Sequence, residues 1–535
     1  MAIKRYLANA DTTITNAFQM DLQTRGTGAN MGVSDTLEVF SIYGQDSGSS
    51  GLSQELSRVL IKFPTDVIST DRTNKNIPKS GSVSFYLKMF NAEHAETLAR
   101  KYYVSVAALT TDWEEGHGMD MEEYKDLTND GPGTNWSKAT EAASWTRIGG
   151  DFADENDDSS FFTQYIGAGN EDLEVDITPL VEQWVNSGGN VLGSKSNYGV
   201  MIKLSGSYEA YHTSSQGYDG SAIIYNPTGS QKSYYTKKFF ARGSEFFFKR
   251  PVIEARWNSA TKDNRANFYY SSSLAPAADN LNTLYLYNYV RGQLRNIPSL
   301  EKAGGVVYVS LYSGSNPNDK SPTTSHLNMS LGGGVITDGD IFATGGLEST
   351  GIYTCSVCIT ASSNEKLSKF FDVWHMPRSG AIEYHTGTID PISIEASNVN
   401  PSTRFVSKVT NLRPTYYRDE IGRYRLYVRE KNWNPNIYTK AISTPDSYIV
   451  ESASYQIYRA SDNYEIIPYG TASTTTTGRG DLWTQLSYDV SGNYFDLDID
   501  LLEAGYAYGI RLAYYNGAIG SWVEQPEIFK FRVEE

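Results

Sequence analysis

The residues that could do chemistry are few in this 535-residue chain, and their spacing argues against most of it. Its two cysteines, Cys355 and Cys358, form a C-x-x-C pair in YTCSVCIT, a spacing that invites zinc or redox chemistry. Tyr353, Cys355, Val357 and Ile359 alternate as one strand face, however, which turns Cys358 to the other. Thiols pointing apart do not chelate one ion, and no second pair accompanies them. With only two thiols, disulfides do not hold this fold together. The six histidines, at 94, 117, 212, 326, 375 and 385, are scattered, with no H-x-H or H-E-x-x-H spacing for a metal. Gly332 to Gly334 lacks the Lys-Ser/Thr and helix of a nucleotide loop and reads as a turn. Arg479-Gly480-Asp481 spells an integrin-binding tripeptide and is read as coincidence.

Three acidic clusters, Asp112 to Glu115, Asp120 to Glu123 and Asp154 to Asp158, could supply a carboxylate pair for glycoside hydrolysis or oxygens for calcium. A solvated acidic loop is the plainer reading. The expectation is therefore a non-enzymatic protein with no catalytic, cofactor-binding or metal-binding residues. Aromatic platforms for sugar are another candidate: Trp113, Trp136 and Trp145 in the long irregular stretch 112–161, and the Tyr/Ser/Gly-rich stretch 208–235. Trp113 and Trp184 read as core, while Trp136 and Trp145 fit either role.

The formal net charge of −16 repels phosphate backbones, so no nucleic-acid partner is expected. No apolar run approaches the roughly 20 residues of a membrane helix. The start, MAIKRYLANADTT, carries basic residues but no hydrophobic signal core, giving the expectation of a soluble protein made in a cytoplasm, with no membrane partner. Tyr 39, Phe 21 and Gly 46 suit short strands and frequent turns, hence an all-β chain, and the length implies about two to four domains.

The elements that would position these residues are organised around 173–204. Leu173, Val175 and Ile177 alternate with Glu174 and Asp176 as a strand. Thr178 then caps a short helix with Pro179 at its first position, Leu180, Val181 and Trp184 on one face, and Gly188-Gly189 at its end. Tyr198, Val200, Ile202 and Leu204 alternate again, so the stretch reads as the closing unit of a sheet domain. Before it, 11–15, 37–42, SRVLIKF, SVSFYLKMF and KYYVSVAAL are strands. The expected domains are 1–235, 236–398 and 399–535, with FFFKRPVIEARW opening the second. In that second domain Tyr285, Tyr287 and Tyr289, then Tyr308 and Tyr312, line faces that suit subunit contacts or are simply exposed strand faces. In the third, Phe495, Leu497, Ile499 and Leu501 alternate with Asp496, Asp498 and Asp500 as a half-buried strand.

Leu502 to Tyr508 followed by GIRLAYYNGAIGSW resembles the E–F corner and F strand of a fibronectin type III or immunoglobulin-like module, and the match places Tyr508 at the tyrosine corner. The first domain is similar to the DNRLRE jelly rolls through Arg58, Leu60 and Phe63, Trp113 and Glu115, and Asp176, Ile177, Thr178, Val181 and Trp184. Over most of the chain, MAIKRYLANADTTITNAF, GANMGVSDTLEVFSIYGQ, FFFKRPVIEARW and NFYYSSSLAPAADNLNTLYLYNYVRGQLRNIP resemble virion structural proteins of tailed marine phages, cyanophages in particular. The resemblance implies a jelly-roll sandwich followed by two immunoglobulin-like β-sandwiches, in a homo-oligomeric virion component. Its partners would be other copies of itself and other virion proteins. A carbohydrate-binding adhesin touching host-surface glycan through the jelly roll is the alternative.

Overall fold

Alternating sequences of this kind bury one face per strand, and they assemble here into several antiparallel sheets. The computed structural model describes residues 2–535 except 20, 43–53, 94–97, 120–132, 213–221, 303, 315, 317, 320, 323–325, 332–340, 361–366, 377–381, 394–403, 435, 438–446 and 472–481. The chain is mainly β, 43% strand against 7% helix, so sheets carry the cores of a multidomain protein. It divides into two compact units, Ala2–Asn258 joined by Trp483, and Ser259–Thr471 with Thr484–Glu535.

The first unit contains β1 (Ile3–Leu7), β2 (Ala10–Thr15), β3 (Thr36–Ile42), β4 (Glu55–Lys62), β5 (Ser84–Met89) and β6 (Tyr102–Ala108). Then follow β7 (Phe161–Ile166), β8 (Leu173–Asp176), β9 (Val200–Leu204), β10 (Tyr234–Phe240) and β11 (Val252–Arg256). One sheet runs β1-β11-β5-β8; the other runs β10-β3-β4-β9-β6-β7, with β2 also on β4. Their inward residues, among them Val39, Ile61, Phe85, Val104, Ile202 and Ile253, share one core, each burial stabilising by about 1.5–3 kcal/mol. Helices α1 (Thr65–Thr73) and α2 (Thr178–Val185) pack together, and Arg72 donates twice to Glu182, at 2.8 and 2.7 Å.

The 173–204 stretch forms the expected strand, helix and strand, but it joins two sheets: β8 pairs with β5, while β9 lies between β4 and β6 of the other. Leu180, Val181 and Trp184 face the core as expected. The helix start differs. Asp176 Oδ1 accepts from both Thr178 N and Thr178 Oγ1, and Thr178 Oγ1 itself accepts from Phe85 N at 2.8 Å, so Thr178 is the first helical residue and its hydroxyl does not cap; Ile177 stands at the cap position. The helix ends earlier than Gly188, at Asn186, whose φ of 45° and ψ of 46° give a left-handed cap.

The first domain does not end near 235. β10 pairs along β3, and β11 inserts between β1 and β5, so FFFKRPVIEARW lies in the first unit, which extends to Asn258. Alternation marks a strand but not its pairing partner, and the partners here are about 165 to 250 residues upstream.

The second unit begins with β12 (Asn282–Tyr287), the hairpin β13 (Tyr289–Val290) and β14 (Gln293–Leu294), and α3 (Pro298–Glu301). It continues with β15 (Val307–Ser313), β16 (Ala343–Ser349), β17 (Ile352–Val357), β18 (Phe370–His375) and β19 (Glu383–Ile389). Where two facing sheets are expected, hydrogen bonding joins six strands in one, β12-β17-β16-β15-β18-β19. β16 makes the connection: Ala343 to Gly345 pair with β15, and Gly346 to Ser349 with β17. Gly345 permits this close crossing, since a Cβ there would lie 2.7 Å from the Thr354 carbonyl oxygen. The core between the two halves includes Leu286, Val309, Cys355, Phe370 and Trp374. Cys355 and Cys358 are both buried and free, and burial raises the Cys355 thiol to about 12.

The C-terminal part places β20 (Phe405–Val409), β22 (Ile421–Glu430), β26 (Gly492–Asp498) and β25 (Ser487–Asp489) in one sheet. β21 (Thr415–Tyr417), β29 (Phe529–Glu534), β27 (Ala507–Asn516), β23 (Ala453–Arg459) and β24 (Glu465–Ile467) form the other, with β28 (Ser521–Glu524) on β27. Phe495 of the first sheet stacks 4.1 Å from Tyr455 of the second. The alternating run through Leu501 is a strand only to Asp498; Ile499–Leu501 is a single 3₁₀ turn that keeps the apolar residues inward. Tyr508 Oη donates to the Glu503 carbonyl at 2.7 Å, tying the corner to its own backbone.

Candidate functional site

The described residues of 112–161 contribute to a packed layer. Trp113, Trp136 and Trp145 meet Ile14, Leu60 and Met201 in a second core on the outward side of β2, β4 and β9. Each indole N–H has a backbone acceptor: Tyr198 O at 2.8 Å, Ala222 O at 2.8 Å and Asn135 O at 2.9 Å. Trp136 is fully buried and Trp145 nearly so, which assigns both to the core. β9 is accordingly buried on both faces, which its alternating pattern does not reveal.

Beneath this layer lies a buried charge cluster. Arg58 donates to Glu209 through Nε at 3.2 Å and Nη2 at 3.1 Å, and to the Gly149 carbonyl at 2.8 Å. Lys203 Nζ lies 3.9 Å from Glu209 and 3.7 Å from Glu155. Burial alone would raise the Glu209 carboxyl, but Arg58 and Lys203 hold it below the usual carboxylate range. The Lys203 ammonium is lowered, because burial outweighs its attraction to Glu209. Mutual neutralisation makes the cluster a staple rather than an acid–base pair.

The candidate acids are spent in the same way. Glu115 clasps Arg242 Nη2 with both oxygens at 2.8 Å and accepts from Asp11 N. Asp112 pairs with Lys62 at 2.6 Å. Asp157 accepts from Lys195 and Ser159, which hold it down at about 2, and Asp154 caps the turn at Asn156. Asp11 stands apart: burial raises it to about 7 against the backbone hydrogen bond from Arg242, yet it is 1% exposed. Among the described residues, the acids of 112–115 and 154–158 are thus engaged in local pairs and turns. No three His, Cys, Asp or Glu side chains gather as a metal site among the described residues. Asp120 to Glu123, Gly332 to Gly334 and Arg479 to Asp481 lie outside the described residues. Ser310 Oγ is 2.9 Å from His375 Nε2, but Ser310 is buried and His375 Nδ1 faces the Met376 carbonyl at 3.2 Å, so no carboxylate orients the ring.

What the fold does assemble at the surface is tyrosine. Tyr103 of β6 sits opposite Tyr165 of β7 with ring centroids 5.1 Å apart, and Tyr103 meets Tyr208 at 6.2 Å. Tyr208 meets Tyr235 at 5.1 Å, which stacks on Tyr234 at 4.9 Å. Tyr103, Tyr165 and Tyr234 are 41, 48 and 62% exposed, so this five-ring ribbon presents aromatic surface. The Tyr-rich stretch signals Tyr208, Tyr234 and Tyr235; Tyr103 and Tyr165 join only through sheet pairing. The other tyrosine faces are partly used internally. Burial, with Tyr494 beside it, pushes the Tyr287 phenol well above the ordinary tyrosine range, while Tyr308 stacks on Phe342 at 4.5 Å and Tyr312 on His326 at 4.4 Å.

No helix among the described residues is long and apolar enough to cross a membrane. No protein-family model matches the chain, and no curated protein matches it in sequence. Among solved structures, a DUF4785 family protein from Legionella pneumophila aligns over 100% of this chain and 90% of its own at 7% identity. The TM-score of 0.12 gives that likeness no weight for fold or function.

Proposed function

We propose that this protein is a non-enzymatic structural component of a tailed-phage virion, assembled as a homo-oligomer in contact with other virion proteins. On this reading the first unit is a jelly roll of the DNRLRE kind, and the C-terminal pair of sheets is an immunoglobulin-like module with Tyr508 at its corner. The phage-like sequence resemblance supplies the virion setting. The observation that carries a packing role is the exposed Tyr103–Tyr165–Tyr208–Tyr235–Tyr234 ribbon, since amphipathic rings suit subunit contacts with a wet rim. The burial of Trp113, Trp136 and Trp145 weighs against a jelly-roll adhesin that uses them as sugar platforms.

Mass spectrometry of purified virions is the test. The chain is expected among stoichiometric particle proteins, and its absence from intact particles would overturn the proposal. Tyr165→Ser with Tyr234→Ser should shift the purified protein toward smaller species in sedimentation if the ribbon is a self-contact.

A further inference from the structure

A cleft of about 1140 Å³ lies wholly within the second unit and opens beside β22. Its size lies just above the usual range of ligand sites, roughly 300–1000 Å³, and leaves room for an extended ligand. Tyr269, Phe405, Tyr427, Tyr448 and Tyr515 line it. Tyr448 and Tyr515 are 49 and 46% exposed, on backbone that is held in place: Tyr448 N donates to Val428 O at 2.8 Å, and Tyr515 N to Ser452 O at 2.9 Å. The Phe405 ring supports Tyr448 from 5.1 Å.

The cations of the cleft are already paired. Arg265 donates to Asp372 at 2.8 Å and to Asp263 at 3.0 Å, and Arg425 donates to Asp489 at 2.7 Å. Glu451 accepts from Asn267 Nδ2 at 2.9 Å. The remaining polar lining is the Asp390 carboxylate and the hydroxyls of Thr388, Thr410, Ser447, Ser452 and Ser491, of which Thr410 donates to Arg425 O at 3.2 Å and Ser447 accepts from Val428 N at 3.1 Å. Past Phe405, Tyr448 and Tyr515 the cleft continues into a groove of about 690 Å³, where Arg404 and Lys431 are offset by Glu430, Glu524 and Glu527.

We propose that this cleft and groove bind a linear, uncharged oligosaccharide. Sugar rings present C–H faces that aromatic rings cover, and hydroxyl rims that Ser, Thr and Asn satisfy as donor and acceptor at once. A phosphorylated or sulfated ligand needs an excess of cations; the arginines of the cleft are paired, and in the groove Glu430, Glu524 and Glu527 outnumber Arg404 and Lys431. A lipid needs an apolar lining, and here the hydroxyls interrupt it. The shared Phe405–Tyr448–Tyr515 surface between cleft and groove selects an elongated ligand over a compact one. This inference does not rest on the virion reading.

The full-length protein should be titrated with linear neutral oligosaccharides of glucan, xylan, mannan and galactan type, beside sulfated and uronate chains and an extended neutral peptide. At least one neutral saccharide is expected to bind at millimolar or lower concentration. Tyr448→Ala and Tyr515→Ala should each weaken it about tenfold, with the melting curve showing that each variant folds. Should either fail to fold, Ser491→Trp blocks the cleft from an exposed position and should abolish binding. Tyr165→Ala, in the first unit, should leave it unchanged. Absence of neutral saccharide binding, binding only to charged chains or the peptide, or binding that survives both Tyr448→Ala and Ser491→Trp would overturn the proposal.

Discussion

Glu209→Gln tests the staple beneath the tryptophan layer most directly. Glu209 is the only fully buried carboxylate facing both Arg58 and Lys203 among the described residues, and the side chains of those two cations are each 3% exposed. Glutamine keeps the volume and one acceptor but leaves the buried Arg58 without its charge partner and Lys203 with only the exposed Glu155. Breaking a buried pair from one side costs about 3–5 kcal/mol, since the remaining charge stays desolvated. For a unit of this size, each kcal/mol moves the melting temperature by about 2–4 °C, so a fall of roughly 6–20 °C is expected in calorimetry at neutral pH. Because the Glu209 carboxyl is held below its ordinary value, its contribution is complete above the unfolded carboxylate range and is lost as pH falls through the lower folded value. The variant's stability should therefore vary less with pH in that acidic window. Replacing Arg58, Lys203 and Glu209 together by methionine should recover much of the loss, because no buried charge remains. A Glu209→Gln shift under about 2 °C would refute the assignment of this cluster as a buried staple.

Three further outcomes follow from the same geometry. Trp136→Ala should destabilise the first unit by about 3–5 kcal/mol in denaturant unfolding, as expected for a fully buried indole. Asp11, raised to about 7 by burial, makes the first unit lose stability as pH rises from about 4 through 7; Asp11→Asn, which keeps the acceptor for Arg242 N, should flatten that slope in melts taken at pH 5 and 8. Tyr508→Phe removes the bond to the Glu503 carbonyl and should lower the stability of the C-terminal pair of sheets by about 1 kcal/mol, measured by chemical denaturation.

Much of the strand inventory is legible in the sequence because one-sided burial writes a period of two. β3, β5 and β6 fall where alternation places them, and Leu180, Val181 and Trp184 share the face that the helical period assigns. The pattern fails where burial is two-sided or the backbone changes. Met201 of β9 is buried under Trp113, Trp136 and Trp145, and Lys203 is buried against Phe152 and Glu209, layers supplied from elsewhere in the chain. Ile499 and Leu501 keep their inward alternation through a 3₁₀ turn, which no strand template anticipates. α1 is missed because it is short and polar, with only Ile68 and Asp71 buried.

Composition and local periodicity by themselves determined that this is a β protein and that its cysteines stand apart from each other's chemistry, while the corner role of Tyr508 is implied by a family resemblance and its bond to Glu503 is seen in the structure. The first two properties depend on residue type and near neighbours, which the sequence carries in full. Only the tertiary structure decided that β10 and β11 complete the first unit, that Trp136 and Trp145 are core, and which acids neutralise Arg58 and Lys203. It also decided that Tyr269, Tyr427, Tyr448 and Tyr515 share one cleft. Each of these depends on pairings between residues tens to hundreds of positions apart, and local periodicity does not encode a partner.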